Sequence, residues 1–155
     1  RASPSRFPGT VLNAPACYAS ITHQLTGPIY NFSNGATSAL DALGFAYMQI
    51  ADEREEEAVV CAAEEASSIA RVIDHALSAS SSGALYLSSL PGPVELLEYR
   101  ICALPEKEDM PISAYGCVEA LRLIYTYLYA SPREDEREVT LTEFPYQASV
   151  RLRFA

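Results

Sequence analysis

The chain has 155 residues, of which 49% are hydrophobic and 20% are charged, and its formal net charge is −9. This size and composition predict one globular domain whose core needs neither disulfides nor metals. The negative charge argues against nucleic acid and anionic membrane surfaces as partners, because both attract clusters of Lys and Arg. No apolar stretch reaches the roughly 20 residues of a membrane span.

The cysteines are widely spaced, and none belongs to a C-x-x-C pair, which argues against a zinc site. Each lies in an apolar stretch of sequence. We therefore expect reduced, buried thiols of the kind found in cytoplasmic proteins, and neither a metal nor another cofactor. The four cysteines are Cys17, Cys61, Cys102 and Cys117.

The first predicted elements are an extended segment and a helix. Two prolines within the first nine residues favour extended backbone, and the β-prone piece 10–13 continues it. Pro15 suits the first turn of a helix that runs to about Leu25. Gly27 and Pro28 then end this helix.

Residues 25–50 predict a short strand, a tight turn and an amphipathic helix, which together form an elbow. The run from Pro28 to Phe32 is apolar and β-rich, and Ser33-Asn34-Gly35 is typical of a turn. In many acyl-transfer enzymes such an elbow holds the nucleophile, because the free N–H groups of the helix stabilise a developing anion. No cysteine lies at this turn. The helical stripe consists of Ala36, Ala39, Leu40, Leu43, Tyr47 and Ile50.

The next segments alternate between predicted strands and helices. The continuous run of small apolar residues at Ala58–Ala63 predicts a buried strand. A modest helix over 67–77 and a flexible connector over 78–83 follow. Further strands are expected over 84–87 and 98–104.

The last part of the chain predicts a second strong helix over 112–129 and a closing pair of strands. Apolar and polar residues alternate in these strands, 139–144 and 149–154, so that one face of each belongs to the core. The buried stripe of the helix is expected to contain Val118, Leu121, Ile124, Tyr125 and Leu128.

Four landmarks resemble, in order, the β-ketoacyl synthase branch of the thiolase-like superfamily. They are SPSRFPGTVLNAPACYASITHQLTGP at 3–28, NGATSALDAL at 34–43, AVVCAAEE at 58–65 and SAYGCVEAL at 113–121. The specific parts are SPSRFPGTVLNAPA and NGATSALDAL. The resemblance implies an α/β fold with a thiolase-like layered mixed sheet and buried helices. It also implies a single domain, 1–155, that lacks an N-terminal portion of full ketosynthases.

The chemical groups of a β-ketoacyl synthase have no counterparts at the matching positions. Such enzymes carry the acyl chain on a cysteine and use two histidines in decarboxylation. Matching the family's hydroxyl pair on Thr37-Ser38 places Ala36 at the nucleophile position. Met110 stands at one histidine position, and the His-Gly-Thr segment of the other is absent from the sequence. Pro145, which has no N–H, lies in the place of the glycine-rich oxyanion loop.

This pattern resembles the chain-length-factor type of subunit, which is catalytically silent. The resemblance implies a subunit that pairs with an active synthase and shapes the acyl tunnel in polyketide, polyene or fatty-acid-type elongation. An alternative is a thiolase-like enzyme, such as a malonyl decarboxylase or an acyltransferase, with a reassigned nucleophile. A third is a fragment or decaying copy without a partner.

Other residues of the chain offer weak substitutes for the missing groups. We interpret His23 and His75 as surface residues or as core residues with hydrogen-bond partners. Asp74 and His75 cannot form a catalytic relay, because adjacent side chains diverge on a helix. Thr37 and Ser38 are alternative nucleophiles, but no base can be identified for either from the sequence.

In ketosynthase-like dimers the strand that leads into the elbow pairs across the two-fold axis. The resemblance therefore implies an interface there, with a catalytic synthase or a second copy as the partner and acyl carrier protein as an indirect one. An apolar edge without Lys or internal Pro also permits strand addition. Leu12 is expected to reach the acyl tunnel, and burial in the core is the alternative for Tyr30 and Phe32. The residues of this predicted interface are Thr10, Leu12, Asn13, Ile29, Tyr30, Phe32 and Ser33.

Overall fold

The computed structural model describes residues 11–68, 72, 79–103, 118, 121–122, 124–125, 136–143 and 146–154. The chain divides into two compact units, 1–33 and 34–155. Most of the helices predicted over 67–77 and 112–129 fall outside the described residues. So do the following residues named above: Thr10, Asp74, His75, Met110, Cys117, Leu128 and Pro145.

The first unit contains one helix, α1, at Ala14–His23. Pro15 lies in its first turn, as predicted. Gln24 follows the helix with a φ of 55°, and the N–H of Leu25 donates to the Ser20 carbonyl oxygen at 2.9 Å, which closes the last turn. The predicted helix is confirmed, and it ends two residues before Leu25.

The strand predicted over Pro28–Phe32 is wrong. Residues 28–34 have neither helical nor strand conformation, and none of the described strands pairs with them. A strand is completed only by hydrogen bonds to a neighbouring segment, and a β-rich composition does not supply that neighbour. The elbow therefore begins as irregular chain.

The second unit contains the elbow helix and two antiparallel sheets. A short 3₁₀ turn at Gly35–Thr37 leads into α2 at Ser38–Ala51, which confirms the predicted helix. One sheet pairs β1 with β2, and the other has the order β3-β5-β4. The described architecture is therefore α/β, with two helices and two sheets. The strands are β1 Glu57–Glu64, β2 Ser81–Ser88, β3 Val94–Ala103, β4 Glu136–Glu143 and β5 Tyr146–Phe154.

The core of this unit forms around α2, which packs against both sheets. Leu40 on α2, Val139 on β4 and Val150 on β5 are among its most deeply buried side chains. The closing strands pair as predicted, and Val150 and Leu152 are buried while Arg151 is exposed. Alternation thus identified the inner face of β5 correctly.

Strand β1 is buried on one face only, which corrects the prediction of a buried strand. Val60 and Ala62 face the core, whereas Val59 is 51% exposed and Cys61 lies at the surface. The inner face packs on α2 and, through the paired Gly83 of β2, against residues of the second predicted helix. An apolar run does not distinguish one covered face from two.

Three further expectations are corrected. The thiols of Cys61 and Cys102 are exposed and that of Cys17 is half-buried, because apolar sequence neighbours do not place a residue on the inner face of its element. Tyr125 is 60% exposed, although Val118, Leu121 and Ile124 are buried as predicted. The predicted connector over 78–83 contains the start of β2, because Ser81 pairs with Glu64.

Candidate functional site

The turn that precedes α2 is closed by a serine hydroxyl. Gly35 has a φ of 65°, a conformation that glycine adopts without strain. The Ser38 hydroxyl donates to the Gly35 carbonyl oxygen at 2.7 Å and accepts from the Asn34 N–H at 2.8 Å. Ser38 is only 8% exposed. Its hydroxyl therefore takes part in the turn itself.

A buried carboxylate lies in the first turn of α2. Asp41 is 6% exposed, and its oxygens accept hydrogen bonds from Asn34 Nδ2, Thr37 Oγ1 and the Tyr99 hydroxyl, each at 3.0 Å. Three donors replace the water that a buried carboxylate loses, and the helix N-terminus adds a favourable dipole. We call these four residues the Asp41 network. It connects the elbow turn, α2 and β3.

Tyr99 brings strand β3 into the Asp41 network. Burial, together with the hydrogen bond and the negative charge of Asp41, raises the pKa of Tyr99 well above its usual value. The hydroxyl therefore remains a donor at neutral pH. A Cβ atom at Gly44 would overlap the Tyr99 ring, so the ring packs directly on the backbone of α2.

The two hydroxyls beside Ala36 are poorly placed for nucleophilic catalysis. Thr37 is 2% exposed, and its hydroxyl lies 3.0 Å from Asp41 and 3.2 Å from the Asn34 carbonyl oxygen. A nucleophile has to contact its substrate as well as its base. Thr37 has an acceptor in Asp41 but no exposed surface, and Ser38 is buried too. The geometry therefore favours a structural role for both hydroxyls.

The sequence contains one signal for the Asp41 network, which our sequence reasoning missed. Asp41 stands between Leu40 and Leu43 in an apolar helix, and a charged residue at a buried position requires partners. That signal marks Asp41 alone. Tyr99, 58 positions later, has no local pattern that identifies it as the donor.

The predicted interface residues that the structure describes all belong to the first unit, whereas Asn34 and the residues of α2 belong to the second. Tyr30 is 53% exposed and Phe32 is half-buried. Several other large apolar side chains of this unit are exposed as well. The exposed large apolar residues of this unit are Val11, Leu12, Tyr18, Ile21, Leu25, Ile29 and Tyr30, and the predicted interface residues Asn13 and Ser33 are exposed as well.

Paired charges cover the outer face of the β3-β5-β4 sheet. Glu98 accepts from Arg100 Nε at 2.6 Å and pairs with Arg151 Nη2 at 3.0 Å, and the Arg100 contact lowers the pKa of Glu98. Together with Glu138 and Ser149 these residues line a shallow cavity of about 40 Å³. Acidic and basic groups balance here and are solvent-exposed, so the cluster is typical of a solvated sheet face.

Within the described ranges, no three or more His, Cys, Asp or Glu side chains are grouped as metal ligands would be. None of the helices in that part of the chain has the length and hydrophobicity needed to cross a membrane. Comparison of the chain with protein-family models, with curated proteins and with solved structures gave no match.

Proposed function

We propose that this chain is a non-catalytic β-ketoacyl-synthase-like subunit that pairs with an active synthase and shapes its acyl tunnel. The observation that carries the proposal is the state of the elbow. Ala36 offers only a methyl group, and the hydroxyls of Thr37 and Ser38 are buried and hydrogen-bonded. The order of the sequence landmarks and the exposed apolar surface of the first unit support the same function.

The proposal includes a thiolase-like layering of the second unit. Support comes from α2, which packs against both sheets. The described pairings are antiparallel, so a mixed sheet remains part of the proposal. We further propose that residues 28–32 take up strand geometry when a partner strand binds them, since strand addition supplies a paired neighbouring strand.

The alternative is a thiolase-like enzyme with a reassigned nucleophile, such as a malonyl decarboxylase or an acyltransferase. Two observations favour it. The Thr37 hydroxyl lies 3.0 Å from the Asp41 carboxylate, a hydroxyl next to an acceptor. Cys17 is a free, half-buried thiol. For Thr37 to act, the turn would have to open and expose it.

A mass and gas-release experiment separates the two functions. The purified chain is incubated with acyl and malonyl thioesters of acyl carrier protein, and intact mass and released carbon dioxide are measured. We expect an unmodified chain and no release above that of a protein-free sample. A stoichiometric adduct that is lost in Thr37→Ala, Ser38→Ala or Cys17→Ser, or turnover above background, contradicts the non-catalytic function.

A further inference from the structure

The two-stranded sheet of the second unit leaves one face open to solvent. Its inner face contributes Val60 and Ala62 to the core, while Val59 and Tyr86, which are paired across the strands, are 51% and 62% exposed. We define the β1–β2 outer face by the side chains that alternate with the inner ones. They are Glu57, Val59, Cys61 and Ala63 on β1, and Ser82, Ala84, Tyr86 and Ser88 on β2.

This face is nearly free of charge in a strongly acidic chain. Glu57 is its one charged residue, and it lies in the pair at one end of the sheet. Two copies of a chain with a net charge of −9 repel each other across most of their surface. The β1–β2 outer face is a surface where that repulsion is small and apolar area can be buried.

The residue sizes along the face are complementary to those of a second copy. The bulky pair Val59–Tyr86 lies on one side of the Cys61–Ala84 pair, and the small pair Ala63–Ser82 lies on the other. Consider a two-fold axis that runs between two such faces, across the strands at Cys61. It places each bulky pair over the small pair of the other copy, which is the condition for an isologous contact.

We propose that the β1–β2 outer face binds a second copy of this chain in this arrangement. A strand of eight residues is about 27 Å long, and two adjacent strands are about 10 Å wide. The footprint of the face is therefore about 270 Å² per copy. Stable interfaces bury about 800 Å² per partner. The contact is therefore a weak, reversible one that forms only at high protein concentration. It is independent of the proposed pairing with a synthase.

The test compares two variants that carry the same added charge. Tyr86→Glu places a carboxylate in the contact and close to Glu57, and Ile101→Glu places one at a residue of β3 that is 52% exposed. Sedimentation equilibrium of the full chain is expected to show dimer formation in the wild type and in Ile101→Glu. In Tyr86→Glu we expect a Kd raised at least about tenfold. Circular dichroism and urea unfolding confirm that both variants are folded.

Cross-linking tests where the axis lies. A short bifunctional maleimide is expected to link two wild-type chains through Cys61 and to lose that product in Cys61→Ser, while Cys102→Ser, which removes another exposed thiol, keeps it. A wild type that stays monomeric at about 100 µM overturns the proposal. Equal weakening by both glutamate variants, or linked dimers that persist in Cys61→Ser, also overturns it. Binding of Tyr86→Glu to the synthase is measured separately. If this variant loses synthase binding but self-associates like the wild type, the β1–β2 outer face does not bind a second copy. That result contradicts this proposal and leaves the proposed function intact.

Discussion

At the scale of single residues, Asp41 shows how a charged side chain is accommodated inside this fold. Its carboxylate accepts from three donors at 3.0 Å, of which Tyr99 alone comes from a distant strand. Hydrogen bonds to a buried charge are stronger than those between neutral groups. The Tyr99 hydroxyl therefore contributes both to stability and to the position of β3 against α2.

We predict that Tyr99→Phe lowers the free energy of unfolding by about 1–2 kcal/mol at neutral pH, because one donor to Asp41 is lost. The effect depends on pH. The pKa of Tyr99 is raised in the folded state, so its contribution is complete below the unfolded value near pH 10 and declines as the pH rises above it. Urea unfolding of both proteins from pH 7 to 11 measures the difference. A difference that does not decrease above pH 10 contradicts this role of the hydroxyl.

At the scale of elements, α2 packs closely against β3 because Gly44 has no side chain. Gly44 is buried, and the Tyr99 ring occupies the space that a Cβ would need. A second contact adds to the first, since the Tyr47 hydroxyl donates to the Leu97 carbonyl oxygen at 3.2 Å. The helix and the strand therefore approach more closely than larger residues would allow.

We predict that Gly44→Ala destabilises the protein by about 2 kcal/mol, because the overlap with Tyr99 outweighs the gain of about 1 kcal/mol in helix propensity. Gly27→Ala is the matched control, since nothing lies within 4 Å of its added Cβ, and we expect it to be near neutral. Urea midpoints measure both changes. Equal midpoints for the two variants would show that the ring moves aside without cost.

At the scale of the whole molecule, the core and the proposed pairing surface belong to different units. The buried cluster around α2 begins at Ala39, whereas the predicted interface residues end at Ser33. A substitution in the first unit is therefore expected to affect association more than the core. This separation allows the pairing hypothesis to be tested without unfolding the second unit.

We predict that Phe32→Asp leaves a folded chain that no longer pairs with an active β-ketoacyl synthase. The measurement is copurification with the synthase of the native host, followed by size-exclusion chromatography with light scattering. Ile101→Asp adds the same charge to an exposed apolar residue of β3, in the second unit, and is expected to keep the pairing. An unfolded Phe32→Asp chain indicates that Phe32 is a core residue. A folded variant that still pairs shows that the proposed interface is wrong.

The sequence by itself determined the elements that depend on interactions between residues close together in the chain. Hydrogen bonds of a helix join residues four positions apart, so Pro15 and the apolar stripe of 36–50 sufficed to place α1 and α2. Alternation likewise fixed the inner face of β5, because its period does not depend on which strand lies beside it.

The tertiary structure alone decided which segments pair or pack with one another. Residues 28–32 have the composition of a strand, but none of the described strands pairs with them, and β1 is buried on one face only although its run Ala58–Ala63 is apolar. The candidate site follows the same rule. Asp41 is visible in the sequence as a charge on an apolar helix, but its donor Tyr99 comes from β3. Contacts between distant segments depend on the folded chain, and no local periodicity encodes them.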